Sequence, residues 1–404
     1  MQHSDKPSLR YLFFTFLKIG STSWGGFMAL ISVVQKQLVE KDKKSESELI
    51  LEGISLASVL PGPMAFNVIA FLGYKLRGIK GALVSMAGIV IPSFLLMILL
   101  SVLYLRFGNV PSFSHFFSGV LPAVAAVIIS VAAGMAKKNI RDKVQVVIAV
   151  LSAIVILLVK AYTATLAVMV ISGIAGYLLY RRENSGKIAG KVAKKNDPAE
   201  FRSGVFILAS VMVVFVLVLI LPLLLPENYL QVSQLHRKIM LTFSGMSLSL
   251  FGGGYVVIPA MQQVIVQSLG WLSSKEFTDA VAMGQVTPGP IFITATFIGF
   301  KVAGFWGAVN ATLAIFLPPA LLMIVCSRFL ETIQNSPAIS AIFKGLRPAI
   351  IGMIGAAAIQ ILAGGDLSVK TALLFIVFII LATRYKADPV FLIPGAGLIG
   401  LLIF

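Results

Sequence analysis

The sequence has few charged residues, and acidic ones are especially scarce. Only 12% of the 404 residues are charged, whereas soluble domains carry about 25%. Hydrophobic residues make up 58% of the chain, and the mean hydropathy is +0.96. We therefore predict an integral membrane protein with little soluble mass. Nucleic-acid binding is not expected, because no basic soluble domain is present to carry it.

Cysteine and histidine are almost absent. The single cysteine, Cys326, lies in an apolar stretch, which excludes an intrachain disulfide and a cysteine-based metal cluster. The three histidines, His3, His115 and His236, lack the spacing of metal ligands. Neither a Ser-His-Asp arrangement nor a phosphate-binding loop is recognisable. The sequence thus predicts neither an enzyme nor an ATP-driven pump, and it predicts no metal and no cofactor.

What the sequence does contain is a series of long apolar runs. Many approach the roughly 18–20 residues that span a bilayer as a helix, and none alternates as barrel strands do. The predicted fold class is all-α: a polytopic helical membrane protein with about 10–13 membrane segments. The segments are 11–34, 49–74, 81–105, 113–136, 144–159, 162–180, 204–225, 238–266, 277–300, 304–327, 338–362, 368–384 and 388–404.

Two of these segments are interrupted by Pro-Gly-Pro. The triplets are Pro61-Gly62-Pro63 and Pro288-Gly289-Pro290. A helix cannot continue through them, because each proline lacks an N–H and its ring clashes with the preceding turn. Lipid cannot satisfy the freed backbone groups, so the breaks should face protein or water. New helix N-termini are expected at about Met64 and Ile291.

The two halves of the chain align with each other at a constant offset of 226 residues, the distance from Gly78 to Gly304. A slip of one residue also aligns the two Pro-Gly-Pro triplets. Chance matching of apolar sequences does not explain a series of Gly, Pro and Lys in register, so the chain is a duplicated unit. The other pairs are Phe71–Lys75 with Phe297–Lys301, Gly81 with Gly307, Pro92 with Pro318, Gly119 with Gly345, and Pro122 with Pro348.

The repeat and the charge pattern divide the chain into four parts. We predict a first transporter unit over 1–180, a basic linker over 181–203, an extra membrane helix over 204–225 and a second unit over 226–404. Basic loops are retained in the cytoplasm, which places the linker and the N-terminus there. The extra helix then inverts the second unit. An inverted repeat with broken helices is typical of secondary transporters, whose site lies at the repeat interface.

Backbone N–H groups near the breaks are the predicted anion ligands. Helix N-termini and glycine-rich turns bind anions through N–H groups and the helix dipole, and neutral donors allow release. Close helix packing by the glycines and a purely structural kink are the alternatives. The predicted substrate-binding residues are Gly25, Gly26, Pro61, Gly62, Pro63, Asn67, Lys75, Gly252, Gly253, Gly254, Gln285, Thr287, Pro288, Gly289, Pro290, Thr294, Thr296 and Lys301.

Two pairs of charged residues occupy equivalent repeat positions. Lys75 and Lys301 could attract an anion from either side, or simply extend to the membrane interface. Glu52 and Asp279 precede the two breaks and are candidates to carry protons in coupled transport. An ordinary acidic residue at a helix start is the alternative for both.

At these motifs the chain resembles the chromate ion transporter family, in its long, two-unit form. Where such proteins usually have a proline and a histidine after the Gly-Gly pair, this chain has Phe27 and Met28. The matching motifs are Trp24–Gly26, Leu60–Pro63, Gly78–Ala82, Ile91–Ser93, Phe251–Pro259, Gly270–Leu272, Glu276–Phe277, Gly284–Pro290, Ala295–Phe300 and Phe316–Pro318.

The resemblance implies chromate efflux across the plasma membrane, driven by the proton gradient and giving chromate resistance. The residues alone imply only an inverted-repeat transporter of a tetrahedral oxyanion. Uptake of sulfate or a related oxyanion, or an uncoupled anion channel or membrane scaffold, stays open as an alternative. The expected partners are the oxyanion, chromate or sulfate, and the lipid bilayer, with a homodimer left open.

Overall fold

The computed structural model describes residues 7–23, 26–42, 44–107, 111–159, 162–185, 230–249, 257–327, 337–363, 368–385, 387 and 389–404. Within these ranges the chain forms α-helices and short helical turns, and no strand, as predicted. The linker and extra helix predicted over 181–203 and 204–225 lie largely or wholly outside the described residues.

The helices of the described residues fall into two corresponding sets of seven. Short π-helical turns, Lys36–Lys41 and Gln262–Ser268, extend the second helix of each set. The first set is α1 Leu9–Thr22, α2 Gly26–Gln35, α3 Ser47–Ala57, α4 Met64–Phe107, α5 Pro111–Asn139, α6 Lys143–Leu158 and α7 Tyr162–Ser185. The second is α8 Leu230–Ser249, α9 Val257–Met261, α10 Ser274–Val286, α11 Thr294–Cys326, α12 Pro337–Ala363, α13 Val369–Thr383 and α14 Pro389–Ile403.

Capping side chains mark the starts of equivalent helices in the two sets. Asp142 caps α6 by accepting a hydrogen bond from the Gln145 N–H at 2.8 Å. Ser368 caps α13 by accepting one from the Thr371 N–H at 3.2 Å. A side-chain oxygen at this position satisfies an N–H that the first helical turn leaves without a partner. The two caps are separated by the 226-residue offset of the repeat.

Helices α4 and α11 bend at equivalent residues. Arg77 and Gly78 have φ values of −145° and 64°, and Ala303 and Gly304 have −144° and 62°. Both glycines therefore occupy the left-handed region, which a residue without a Cβ enters at little cost. The bends separate the arms that the sequence predicts as distinct membrane segments, and their near-identity supports a duplicated unit.

The two arms of each bent helix touch through glycine. A Cβ on Gly73 would lie 2.6 Å from the Gly81 carbonyl oxygen. In the second set, a Cβ on Gly299 would collide with the Gly307 carbonyl oxygen in the same way. Small residues allow such close backbone approach between helices. These four glycines therefore serve close packing between the two arms of each helix.

The last three helices of each set pack against the opposite set. Gly119 of α5 faces Gly400 of α14, with 2.6 Å between the Gly400 Cα and a Cβ built on Gly119. Gly345 of α12 faces Gly176 of α7, at a corresponding distance of 2.7 Å. Neither half therefore forms a core by itself, and one hydrophobic cluster extends through both.

Four described helices are long and apolar enough to cross a membrane. They cover Met64–Phe107, His115–Asn139, Ile291–Cys326 and Ala338–Ala363. Large apolar side chains such as Leu402, which is 87% exposed, cover the outer surface. An apolar surface of this kind is stable only against lipid or another protein.

One observed helix start differs from the expected one. The sequence predicts a helix from about Ile291, whereas Ile291–Ile293 form a 3₁₀ turn and α11 begins at Thr294. Such turns are frequent at helix N-termini. In the first set, α4 begins at Met64 as predicted.

Glycine packing on α12 leads to a stability prediction. Gly345→Ala should lower the free energy of unfolding by about 1–3 kcal/mol, because the added methyl collides with backbone of α7. Gly355→Ala on the same helix meets no atom within 4 Å and should be neutral or slightly stabilising. Thermal unfolding of the two purified variants in detergent measures the difference. Equal midpoints would contradict the close α7–α12 contact.

Candidate functional site

The first Pro-Gly-Pro break joins α3 to α4. Gly62 has a φ of 95°, which strongly favours glycine. Asn67, fully buried, donates from Nδ2 to the Pro61 carbonyl oxygen at 2.9 Å and so braces the break from inside α4. A Cβ on Gly62 would collide with the ring of Pro319, in α11 of the second set.

The second break joins α10 to α11 and is held by the first half of the chain. Gly289 has a φ of 99°. Its N–H donates to the Ser23 carbonyl oxygen at 2.9 Å, and Ser93 Oγ donates to the Pro288 carbonyl oxygen at 2.5 Å. A Cβ on Gly289 would collide with Ser93 Oγ.

The two breaks contact each other's units reciprocally. Gly62 packs on Pro319 and Gly289 packs on Ser93, and Ser93 and Pro319 are equivalent residues at the 226-residue offset. The break of each unit therefore packs against the equivalent position of the long bent helix of the other unit, which is α11 for Gly62 and α4 for Gly289. This arrangement is what a pseudo-two-fold relation between the units requires.

Three aromatic rings lie together beside the breaks. The ring centroids of Phe66 and Phe316 are 4.8 Å apart, and those of Phe292 and Phe316 are 6.4 Å apart. Phe66 and Phe292 are themselves repeat equivalents. The rings belong to both units, and Phe66 and Phe316 also line an apolar cavity of about 330 Å³ between α4 and α11.

The three predicted threonine ligands are buried and already hydrogen-bonded. Thr287 Oγ1 donates to the Gly284 carbonyl oxygen at 3.0 Å, and Thr294 Oγ1 donates to that of Ile291 at 2.9 Å. Thr296 shares a hydrogen bond of 2.7 Å with a second threonine hydroxyl. Their oxygen lone pairs can still accept, but donation to an anion requires these hydroxyls to rotate.

The remaining predicted polar and glycine ligands are only partly described. Asn67 Oδ1 is buried without a hydrogen-bond partner among the described residues. Gln285 is buried at the end of α10, and Gly26 begins α2. Gly25 and Gly252–Gly254 lie outside the described residues.

The equivalent lysines have different surroundings. Lys301 forms an ion pair with Glu276, whose carboxylate also accepts from the Ser273 N–H at 2.9 Å in a capping box. Lys75 is exposed, and its Nζ lies 5.5 Å from the centroid of the Phe71 ring. The glutamate has no acidic counterpart in the first unit, where Leu49 occupies its position once the one-residue slip that aligns the breaks is applied. The two cations are therefore not interchangeable.

The candidate proton carriers also differ. Asp279 is only 4% exposed, and its Oδ2 accepts a hydrogen bond of 2.7 Å from the Tyr104 hydroxyl. Tyr104 belongs to α4 of the first unit and Asp279 to α10 of the second, so this bond links the units. Glu52 is half-buried on α3 and makes no such hydrogen bond to another described residue.

Several residues at this centre were not predicted from the sequence. Ser93 and Pro319 could have been found, because each follows a proline that the repeat alignment pairs. Ser23, Tyr104 and Glu276 carry no comparable signal. Their roles depend on contacts between parts of the chain that are far apart in sequence.

Comparison with known proteins agrees with this architecture. The model of the chromate transporter family matches residues 10–177 and 237–401, one match in each half. The chromate transport protein of Cupriavidus metallidurans is 31% identical over 403 residues, which cover 98% of this chain and 94% of that protein. An uncharacterized transporter of Methanocaldococcus jannaschii is 30% identical over 393 residues, 96% of this chain and 92% of the relative.

A shorter relative matches a single half. An uncharacterized transporter of Bacillus subtilis is 31% identical over 157 residues, which are 38% of this chain and 88% of the relative. No solved structure matches the chain. The family model covers both repeated halves, and the relatives of C. metallidurans and M. jannaschii are 31% and 30% identical over nearly the whole chain. The chain therefore belongs to the chromate transporter family.

Proposed function

We propose that this protein is a secondary transporter that exports chromate across the plasma membrane in exchange for protons. The observation that carries the proposal is the reciprocal contact of Gly62 with Pro319 and of Gly289 with Ser93. Two inverted units that meet at equivalent points can rock against each other and expose a site between them to alternate sides. Relatives named as chromate transport proteins support chromate as the substrate.

The proposed substrate site lies at the two breaks. Chromate is a tetrahedral dianion, and backbone N–H groups near Met64 and after Pro290 would hold its oxygens. The threonine hydroxyls, Asn67 and the glycine runs would complete the shell. Without a permanent cation clamp at the centre the anion can leave again. The exposed Lys75 would raise its local concentration, and Lys301 would do so only after release from its ion pair with Glu276.

Proton coupling is assigned to Asp279. A buried carboxyl bonded across the unit interface to Tyr104 experiences any movement of one unit against the other. Burial of a charge is costly unless it is paired, so opening to water and protonation of this group are linked. The proposed topology has 181–203 as a cytoplasmic linker and 204–225 as the helix that inverts the second unit.

Everted membrane vesicles test the function. We expect chromate uptake into vesicles containing the protein, stimulation of that uptake by a pH gradient, and competition by sulfate. Uptake of neither oxyanion would overturn the transporter proposal. Chromate flux that does not depend on the pH gradient would instead indicate an uncoupled channel.

Thr287→Val tests the substrate site. Valine keeps the shape and removes the hydroxyl, so chromate affinity should fall by about tenfold, the effect of one hydrogen bond to a charged group. Thr278→Val is the matched control, because its hydroxyl donates to the Ser274 carbonyl on the same helix at 2.9 Å. We expect normal affinity in the control. Unchanged affinity in Thr287→Val would remove this hydroxyl from the site.

A further inference from the structure

A cavity of about 330 Å³ lies where the ends of four helices meet. Its walls come from the last turn of α3, the end of α5, the start of α6 and the first turns of α12. Four basic residues line it, and none of its lining residues is acidic. These are Lys138, Arg141, Lys344 and Arg347, accompanied by the hydroxyl residues Ser55 and Ser58.

The lining of this cavity carries a net positive charge. Lys138, Arg141 and Arg347 form no ion pair among the described residues, and Arg141 and Arg347 repel each other. The adjacent carboxylate, Asp142, is engaged elsewhere. It accepts from the Gln145 N–H at 2.8 Å and from the Tyr180 hydroxyl at 2.7 Å. Like charges held together in this way favour an anion between them.

The walls of the cavity are held in place by hydrogen bonds and rings. Gln145 accepts from the Arg141 N–H at 2.7 Å and donates to the Lys344 carbonyl oxygen at 3.3 Å, which joins α6 to α12. Lys344 Nζ lies 5.1 Å from the centroid of the Tyr180 ring. The Arg347 guanidinium lies 5.8 Å from that of Phe343. The cations are thus partly preorganised, and binding costs less ordering of their side chains.

The repeat shows that this charge belongs to one face only. At the 226-residue offset, Lys344 and Arg347 correspond to Ser118 and Leu121. Lys138 and Arg141 correspond to a glycine and a leucine, Gly364 and Leu367. An inverted repeat places equivalent positions on opposite faces of the membrane. The four cations therefore have no basic equivalents at the positions that the repeat places on the opposite face.

The cavity also lies close to the first break in the chain. Ser58 and Val59 line it and precede Pro61 by only a few residues. Ser58 Oγ donates to the Ser55 carbonyl oxygen at 2.7 Å, which closes the last turn of α3. An anion in the cavity is thus separated from the proposed site by one short turn.

We propose that this cavity is a capture site for soluble dianionic oxyanions, which loads the transporter from one face of the membrane. The proposal rests on the function proposed above and adds to it a site and a sidedness. Arginine and lysine bind tetrahedral oxyanions strongly, and the Ser58 hydroxyl can donate to an anion after it rotates away from the Ser55 carbonyl oxygen. Under the predicted topology, with the basic loops inside, the loaded face is the cytoplasmic one.

The test compares transport from the two faces. Chromate uptake is measured in right-side-out and everted vesicles for the wild type and for the double variant Arg141→Gln, Arg347→Gln. The KM at the face that bears the cavity should rise by about tenfold or more, and the KM at the opposite face should stay constant. Lys143→Gln removes a charge from the same loop outside the cavity lining and should leave both constants unchanged. The single variant Arg347→Lys keeps Arg141 and the positive charge at 347, so its KM at the face that bears the cavity should stay close to the wild-type value.

A binding measurement separates this inference from the proposed function. Purified protein in detergent is titrated with chromate and with sulfate, and separately with phosphatidylglycerol, whose phosphate group has related chemistry. Oxyanion binding that the double variant loses supports the capture site, even if no transport occurs and the transport proposal fails. Wild-type transport with an unchanged double variant at both faces overturns the capture site and leaves transport intact. Displacement by phosphatidylglycerol but not by chromate or sulfate also overturns it, because the cavity then holds a lipid headgroup.

Discussion

Asp279→Asn should abolish the response of chromate transport to a pH gradient. The carboxyl is 4% exposed and joins α10 to Tyr104 of the opposite unit through a bond of 2.7 Å. Asparagine has nearly the same shape and can still accept that hydrogen bond, but it cannot bind a proton reversibly. We expect gradient-driven flux to fall to background while the protein stays folded, as for other ionisable groups that relay protons inside membranes.

The control for this prediction is Glu48→Gln. Glu48 is an exposed acid in the first turn of α3, so its loss should leave coupling unchanged. Initial rates of chromate uptake are measured at matched expression, with and without the gradient. An Asp279→Asn protein that still responds to the gradient would exclude this residue as the proton carrier and direct attention to Glu52.

Gly289→Ala should lower chromate transport by at least about tenfold, because a strained backbone and overpacking each cost about 1–3 kcal/mol. The φ of 99° is unfavourable for alanine. The new methyl also collides with Ser93 Oγ, whose hydroxyl holds the Pro288 carbonyl oxygen. The break is displaced from the opposite unit, and the contact between the two units is disturbed.

The reciprocal geometry provides a strict companion test. Gly62→Ala meets Pro319 as Gly289→Ala meets Ser93, so the two variants should be impaired to a similar degree. Gly270→Ala is the control: its φ of 61° also lies in the left-handed region, but no atom lies within 4 Å of the added methyl. The transport rate of each variant is compared with its yield of monodisperse protein, so that a loss of transport is separated from a loss of folding. Loss in only one of the two break variants would contradict a symmetric contact.

The fold was largely predictable because proline and glycine act locally. Two prolines around Gly62 or Gly289 end a helix whatever surrounds them, and α4 starts at Met64 as expected. The repeat was visible because the same residues recur at one offset, and the structure gives Gly78 and Gly304 nearly the same φ. The starts of α6 and α13 are also local features, because each is set by a capping side chain, Asp142 or Ser368.

The contacts at the site were less predictable because they join distant parts of the chain. Nothing in the local sequence pairs Tyr104 with Asp279, or indicates that Glu276 neutralises Lys301 while Lys75 stays exposed. The orientation of the Thr287 hydroxyl depends on the turn that α10 makes at its end. Such details are set by tertiary packing, which hydrophobic periodicity does not encode.

The cationic cavity also depends on contacts between distant parts of the chain. Lys138 and Arg141 read as part of an ordinary basic cytoplasmic loop, the pattern expected from the positive-inside rule. Only the fold brings them to Lys344 and Arg347, from the other half of the chain. Basic residues that look like a topology signal in the sequence thus line one cavity in the structure.

The most direct test of coupled transport uses purified protein in proteoliposomes. Chromate accumulation is followed after a pH gradient is imposed, with equal chromate on both sides at the start. A proton-coupled transporter predicts a transient rise of chromate above its external concentration, which collapses when a protonophore is added and is absent in Asp279→Asn. Equilibration without accumulation, or accumulation that persists with the protonophore, would contradict the coupling of chromate movement to protons.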